Sequence, residues 1–248
     1  MTTRFKFFTT RRSAPLLAAC AALVLLATAA ARPGSGGDDD DDETIPFKIA
    51  RIYWEYNASA NDLGVHVTLD GEDWKKLKID NPKDKTLFQV AGKGPYEKLG
   101  MTELFFEGAE PSLDDFPLDR LLDKFPAGTY EFSGRTVDGQ EMESEAEFSH
   151  AIPDGPDVSS EVGPGDYLKI SWTEVTRPPP GFPDEPIHIA GYQVIVEPSY
   201  QVTLPATERC VTVSPEFVRS LPAGENKFEV LAIEASGNQT LTEGSFIK

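Results

Sequence analysis

From Phe47 onward, apolar residues return at every second position in short runs, and Gly, Pro, Asn and Asp interrupt the runs. In "EMESEAEF" (141–148), Met142, Ala146 and Phe148 share one parity, while Glu141, Glu143, Glu145 and Glu147 share the other. A side-chain period of two belongs to a β-strand, so one side of this segment packs and the other is an acidic ladder in water. It pairs with "GTYEFSGRT" through a turn at Asp138-Gly139. "FKIARIYWEY" and "TELFFEG" read as further strands, and "WKKLKID" and "TLFQV" flank the turn "NPKDK". "GVHVTLDG" alternates in the same way and is expected to turn at Asp70-Gly71. The one helical spacing is Leu118, Leu121, Leu122 and Phe125, behind Pro117 and closed by Pro126 and Gly128.

"IPDGPDV" (152–158) breaks the strand pattern, and strands resume in "YLKISWTEV", "AGYQVIVEP", "RCVTVSP", "NKFEVLAIE" and "TLTEGSFIK". The expected fold is all-β: two consecutive antiparallel β-sandwich domains at 44–152 and 153–248, the first with a short helical insertion near 117–125. Residues about 157–248 resemble a fibronectin type III domain. The resemblance rests on "LKISW", with Trp172 placed like the core tryptophan of the second strand, "GYQVIVEP" like the third, and "LPAGENKFEVLAIEASGNQT" like the sixth strand and its turn. Asn226 stands where that family usually carries its corner tyrosine, and "TEVTRPPPGFPDEPIHIAG" is longer and richer in Pro than usual. The resemblance implies a fold, and a spacer or binding role, not chemistry. Residues 44–152 look like a second, immunoglobulin-like sandwich.

Residues 1–31 have the form of a signal peptide. Arg4, Lys6, Arg11 and Arg12 precede the apolar run Leu16–Leu26, and Ala29-Ala30-Ala31 offers a cleavage site. "LAAC" also resembles a lipobox, which makes a lipid anchor on Cys20 the lesser alternative to a soluble secreted or periplasmic product. The leader looks bacterial. Residues 32–43, including five consecutive aspartates, read as a solvated acidic linker. The leader holds four of the 23 basic residues and none of the 41 acids, so its removal leaves a net charge of −22. Such a charge argues against nucleic acid and anionic membranes as partners, and no membrane insertion is expected after cleavage. Cys20 and Cys210 are the sole cysteines, so the mature chain has no internal disulfide, and Cys210 is expected to be a small buried residue.

The residue inventory speaks against catalysis. His66, His150 and His188 have no metal-ligand spacing, and no G-x-S-x-G elbow, phosphate loop or C-x-x-C is present. His66 and His150 read as ordinary strand residues. Calcium is the one cofactor candidate, with Glu55, Asn57, Asn61 and Asp62 as hard oxygen donors in "EYNASANDLG". That segment fails the EF-hand pattern, and turn formation is the favoured explanation of its Asn and Asp residues. Tyr53, Trp54 and Tyr56 admit two readings, a sugar platform or a core. "RPPPGFPDEP" is expected to be stiff and extended, with Arg177, Phe182 and Asp184 as binding candidates; the plainer reading packs Phe182 onto its own domain. "NAS" (57–59) and "NQT" (238–240) are glycosylation sequons. The function these features point to is a secreted, non-enzymatic interaction or adhesion-type module for a protein or polysaccharide at the cell exterior. A calcium-stabilised structural protein is the alternative, and a hydrolase with a hidden site the remote one.

Overall fold

The computed structural model describes residues 44–248; the leader, the acidic linker and Cys20 lie outside the described residues. The fold is all-β. Thirteen strands and three short helices are present among the described residues. Two hydrophobic cores sit within one compact unit of the described residues.

The first core is organised by one long strand. β2 (Asp62–Asp80) pairs along its first half with β1 (Ile49–Asn57) on one edge and β4 (Met101–Glu107) on the other. Along its second half the partners are β5 (Gly128–Thr136) and β3 (Thr86–Ala91). The expected turn at Asp70-Gly71 is therefore absent: the strand passes straight through and exchanges partners there. Register shifts between Asp70 and Lys76 mark the exchange, and buried residues move from the odd positions 63–69 to Trp74 and back to Leu77 and Ile79. Extra residues at such a bulge bend a strand and let it change its pairing partners. Gly71 lets the strand pass close to two side chains here, because a Cβ would lie 2.7 Å from Met142 Cε and 3.0 Å from the Phe47 ring.

β6 (Glu141–Phe148) completes the predicted hairpin with β5, and its burial follows the alternation: Met142 and Phe148 buried, Glu143, Glu145 and Glu147 exposed. α2 (Leu118–Lys124) matches the expected helix, with Pro117 as its cap, and Leu118, Leu121, Leu122 and Phe125 close on the core. Trp54 and Tyr56 are core residues, at 0% and 8% exposure. α1 (Pro95–Leu99) joins β3 to β4 and buries nothing.

The second core lies between two sheets. One contains β7 (Val158–Gly163), β8 (Tyr167–Trp172) and β11 (Cys210–Val213); the other runs through β10 (Tyr200–Pro205), β9 (Ile189–Val196), β12 (Glu225–Glu234) and β13 (Gln239–Ile247). Inward residues of both meet: Leu168, Ile170, Trp172 and Val213 against Tyr192, Val194, Phe228 and Val230. α3 (Pro215–Ser220), capped by Ser214, contributes Val218. Asn226 ties the turn before β12, its Nδ2 donating to the carbonyls of Pro222 (3.1 Å) and Gly224 (3.0 Å). Cys210 is exposed, contrary to expectation. Val213 sets the inward parity of β11 and Val211 follows it, so Cys210 and Thr212 face outward.

The strands are antiparallel with one principal exception that sequence patterning did not anticipate. β1 pairs in parallel with β13 through Glu55–Asn57 and Gln239–Leu241, which makes one ten-stranded sheet span both cores. The connecting segment is tied down as well. Asn238, 1% exposed, accepts from the Trp54 amide (2.9 Å) and donates to the carbonyls of Ser149 and Ala151 (3.0 Å each). Thr240 donates to the Pro153 carbonyl. The sequon at Asn238 is thus closed to modification in the folded chain.

Candidate functional site

Where the two cores share a sheet, its outer face gathers the odd positions of β1 and the even positions of β2. Ile52, Trp54 and Tyr56 point into the first core, so Tyr53, Glu55 and Asn57 point out; Leu63, Val65 and Val67 point in, so Asp62, Gly64 and His66 point out. The register sets Glu55 opposite Gly64 and Tyr53 opposite His66. Gly64 leaves a gap on this face, and the Glu110 side chain lies in it: a Cβ on Gly64 would meet Glu110 Cγ at 2.4 Å. The chain after β4 is held against β2 by Gly108 N–H to the Val65 carbonyl (2.8 Å) and Leu63 N–H to the Pro111 carbonyl (3.4 Å). Glu110 is thereby brought to His66.

His66 is 3% exposed. Its Nε2 lies 3.0 Å from Glu110 Oε1 and 3.9 Å from Glu55 Oε1, and its Nδ1 has no hydrogen-bond partner. The Gln239 amide, parallel neighbour of Glu55 in β13, donates to the second Glu55 oxygen. Among the described residues this is the one group of three such side chains close enough to share a metal ion. Burial pushes the Glu55 carboxyl above its ordinary value; the His66 charge and the Gln239 bond act against this, while Glu110 and Glu107 add to it. Burial acts to lower the His66 pKa, but the Glu110 hydrogen bond and the charges of Glu55, Glu110 and Glu107 outweigh it and leave it raised. Nearby, burial with Glu110 and Glu243 lifts Asp62 to about 6, and burial with Glu55, Glu243 and Glu197 lifts Glu229 to about 7.

Of the residues the sequence nominated for calcium, the fold brings Glu55 to His66 and Glu110 and gives the two asparagines to the turn. Asn57 Oδ1 accepts from the Ser59 and Ala60 amides (2.9 and 3.1 Å), and its Nδ2 donates to Glu243. Asn61 adopts a φ of 54°, accepts from the Tyr56 hydroxyl and donates to Asp114. Asp62 lies near Glu110 and Glu243 in the same acidic field. Sequence reasoning missed Glu110 because its approach depends on a loop that returns over β2. The one local signal was Gly64 inside an alternating strand, a common mark of close approach.

The Pro-rich loop does not stand free. Phe182 packs against Tyr56 of the first core, with ring centroids 4.9 Å apart, rather than on the second half as expected. Arg177 remains exposed, 3.9 Å from Asp154, and Asp184 is exposed. Phe182→Ala is therefore expected to lower stability by about 1–2 kcal/mol, a partly buried aromatic contact, measured as a shift in the urea midpoint at unchanged slope. The most exposed large apolar side chains include Tyr96 (58%) and Leu99 (72%) of α1.

The architecture is that of an all-β protein built around two cores. No protein-family model matches the chain, and no curated protein matches it. Among solved structures it is similar to the Clostridium perfringens spore cortex lytic enzyme SleM, at 19% identity and TM-score 0.32, covering 39% of this chain and 28% of that one. It is also similar to a two-domain fibronectin type III segment of chicken tenascin (11% identity, TM-score 0.29, 82% of this chain and 99% of that one). A 1.5-MDa bacterial ice-binding adhesin gives 10% identity and TM-score 0.25, with coverages of 83% and 65%. Likenesses at these scores carry no argument about activity.

Proposed function

We propose that the protein is an extracellular, non-enzymatic interaction module of the adhesion type, made of two sandwiches divided near 152–158. The second is fibronectin type III-like, and the partner is a protein or polysaccharide of the cell exterior. One observation carries this reading: β1 and β13 join the two cores in a single sheet, and Asn238 and Thr240 fasten the segment between them. A scaffold of that kind holds loops at fixed separations, which suits recognition of an extended partner. In line with it, the described surface exposes Tyr96 and Leu99 on α1, and Arg177 and Asp184 on the Pro-rich loop. The acidic surface favours partners that are neutral or basic.

The test is retention of the purified protein on immobilised cell-surface protein and polysaccharide fractions of its own source. Protease or glycosidase treatment of the fractions identifies the partner class. Tyr96→Ala with Leu99→Ala is expected to lower affinity at least about tenfold, on the scale of an interface anchor, with the melting temperature unchanged. Retention equal to wild type in that double variant and in Arg177→Ala with Asp184→Ala would remove these loops from the proposal. Failure of the wild type to bind either fraction would remove the proposal itself.

A further inference from the structure

We propose that Glu55, His66 and Glu110 form a binding site for a divalent transition-type cation, of the zinc, cobalt or manganese kind, at the seam between the two cores. The site is independent of the adhesion reading, and calcium does not fit it, because an imidazole nitrogen stands at its centre.

The argument begins with geometry. Around an ion that binds N and O ligands at about 2.1 Å, neighbouring ligand atoms stand roughly 3.0–3.4 Å apart. The separations are 3.0 Å from His66 Nε2 to Glu110 and 3.9 Å to Glu55, and all three ligand atoms fall within 4.8 Å of one another. The Glu55 carboxylate stands farther from Nε2 than Glu110 does, so it is the side chain that turns inward to complete the set. The ligands are also anchored independently. Glu55 and His66 stand on adjacent, register-locked strands, and Glu110 is seated in the gap at Gly64 with its loop bonded to β2. Glu55 is oriented by the amide of Gln239, the outer contact that ligating carboxylates usually have.

Two features set this group apart from the acidic residues scattered over the surface. His66 is a buried imidazole with one engaged nitrogen, and that nitrogen is the one facing both carboxylates. The field around it is also uncompensated: of the charges acting on Glu55, His66 alone is favourable, and Glu110 and Glu107 oppose. No lysine or arginine salt bridge reaches Glu55 or Glu110 among the described residues. A divalent ion supplies the missing positive charge. Glu55 and Glu110 remain partly exposed, at 17% and 26% of their side chains, which leaves coordination positions for water or for a partner's group.

Chelator-treated full-length protein is titrated with Zn²⁺ by calorimetry and with Co²⁺ by visible absorption. The expected result is one saturable site, a Co²⁺ spectrum indicating nitrogen and oxygen ligation, and a melting temperature that climbs with the logarithm of free metal. Excess Ca²⁺ does not displace the ion. His66→Gln and Glu110→Gln each weaken binding at least about tenfold, and Gln239→Ala weakens it by roughly the same factor without removing a ligand. Glu97→Gln, an exposed acid of α1 outside the cluster, leaves affinity within about twofold. Melting curves of the metal-free variants verify folding; where His66→Gln is unfolded, Glu110→Gln and Gln239→Ala carry the test. Absence of saturable binding below millimolar metal overturns the proposal. So does binding that persists undiminished in the His66 and Glu110 variants, since the ion then sits on other acids.

Discussion

Asn238→Ala is expected to destabilise the protein by about 3 kcal/mol, and to separate the unfolding of its two cores. The side chain is buried and satisfies three backbone groups, the Trp54 amide and the carbonyls of Ser149 and Ala151. Alanine fills less space and leaves all three without partners in a site closed to solvent. Each unmatched buried group costs about 1–3 kcal/mol, reduced where water enters the gap. The three groups belong to β1 and to the segment after β6, whereas Asn238 precedes β13, so the loss falls on the junction. Asn238→Asp retains an acceptor for the Trp54 amide but sets a carboxylate against two carbonyls, and is expected to be at least as harmful. Denaturant melts followed by tryptophan fluorescence check this, with Trp54 and Trp74 reporting the first core and Trp172 the second. A single transition within 0.5 kcal/mol of wild type, the size of an ordinary surface substitution, would show that Asn238 does not fasten the junction.

Acidification from pH 8 to about 5 is expected to stabilise the protein, opposite to the usual behaviour of a domain held by surface ion pairs. The sign follows from linkage. Glu229 and Asp62 have folded-state pKa values of about 7 and about 6, above their ordinary 4.5 and 3.8. Between the ordinary and raised values the folded state binds more protons than the unfolded chain, so stability falls as pH rises through that window. For Glu229 the cause is burial first, then Glu55, Glu243 and Glu197, with Lys227 acting against them. Discounted for solvent screening, the two groups together account for about 2 kcal/mol between pH 5 and 8. Below that range the trend reverses. Asp80 feels a burial cost, but its bonds with Lys78 and Thr86 and the Lys78 charge hold its pKa below 3.8, a contribution lost as pH falls further. Glu229→Gln is expected to raise stability at pH 8 by about 1 kcal/mol and to flatten the slope between pH 5 and 7. A wild-type melting temperature that rises steadily from pH 5 to 8 would contradict the assignment.

Sequence patterning was most informative where structure is local. The alternation in 141–148 needed only the period of a strand to place Met142 and Phe148 inside and the glutamates outside, and α2 needed only its apolar spacing and Pro117. Asp70-Gly71 misled because the dipeptide that favours a hairpin also serves a strand that must pass close beneath Met142 and Phe47; the two uses differ in what lies above the glycine. Cys210 was misplaced by one position for a related reason: parity decides burial, and the parity of a four-residue strand is set by its neighbours.

The candidate site was half legible. Glu55 was nominated for its oxygen, but in the company of Asn57 and Asn61, whose side chains the turn takes up. His66 was read as an ordinary strand residue, and Glu110 went unmarked, 44 positions away. By itself, the sequence determined an all-β chain of strong negative charge, with turns, a short helix and apolar faces in place, because those properties depend on neighbours within a few residues. The tertiary structure alone decided that β1 lies parallel to β13, that Phe182 rests on Tyr56, and that Glu110 settles over Gly64 beside His66. Contacts of that kind depend on which surfaces meet after the strands have formed, and no local period encodes them.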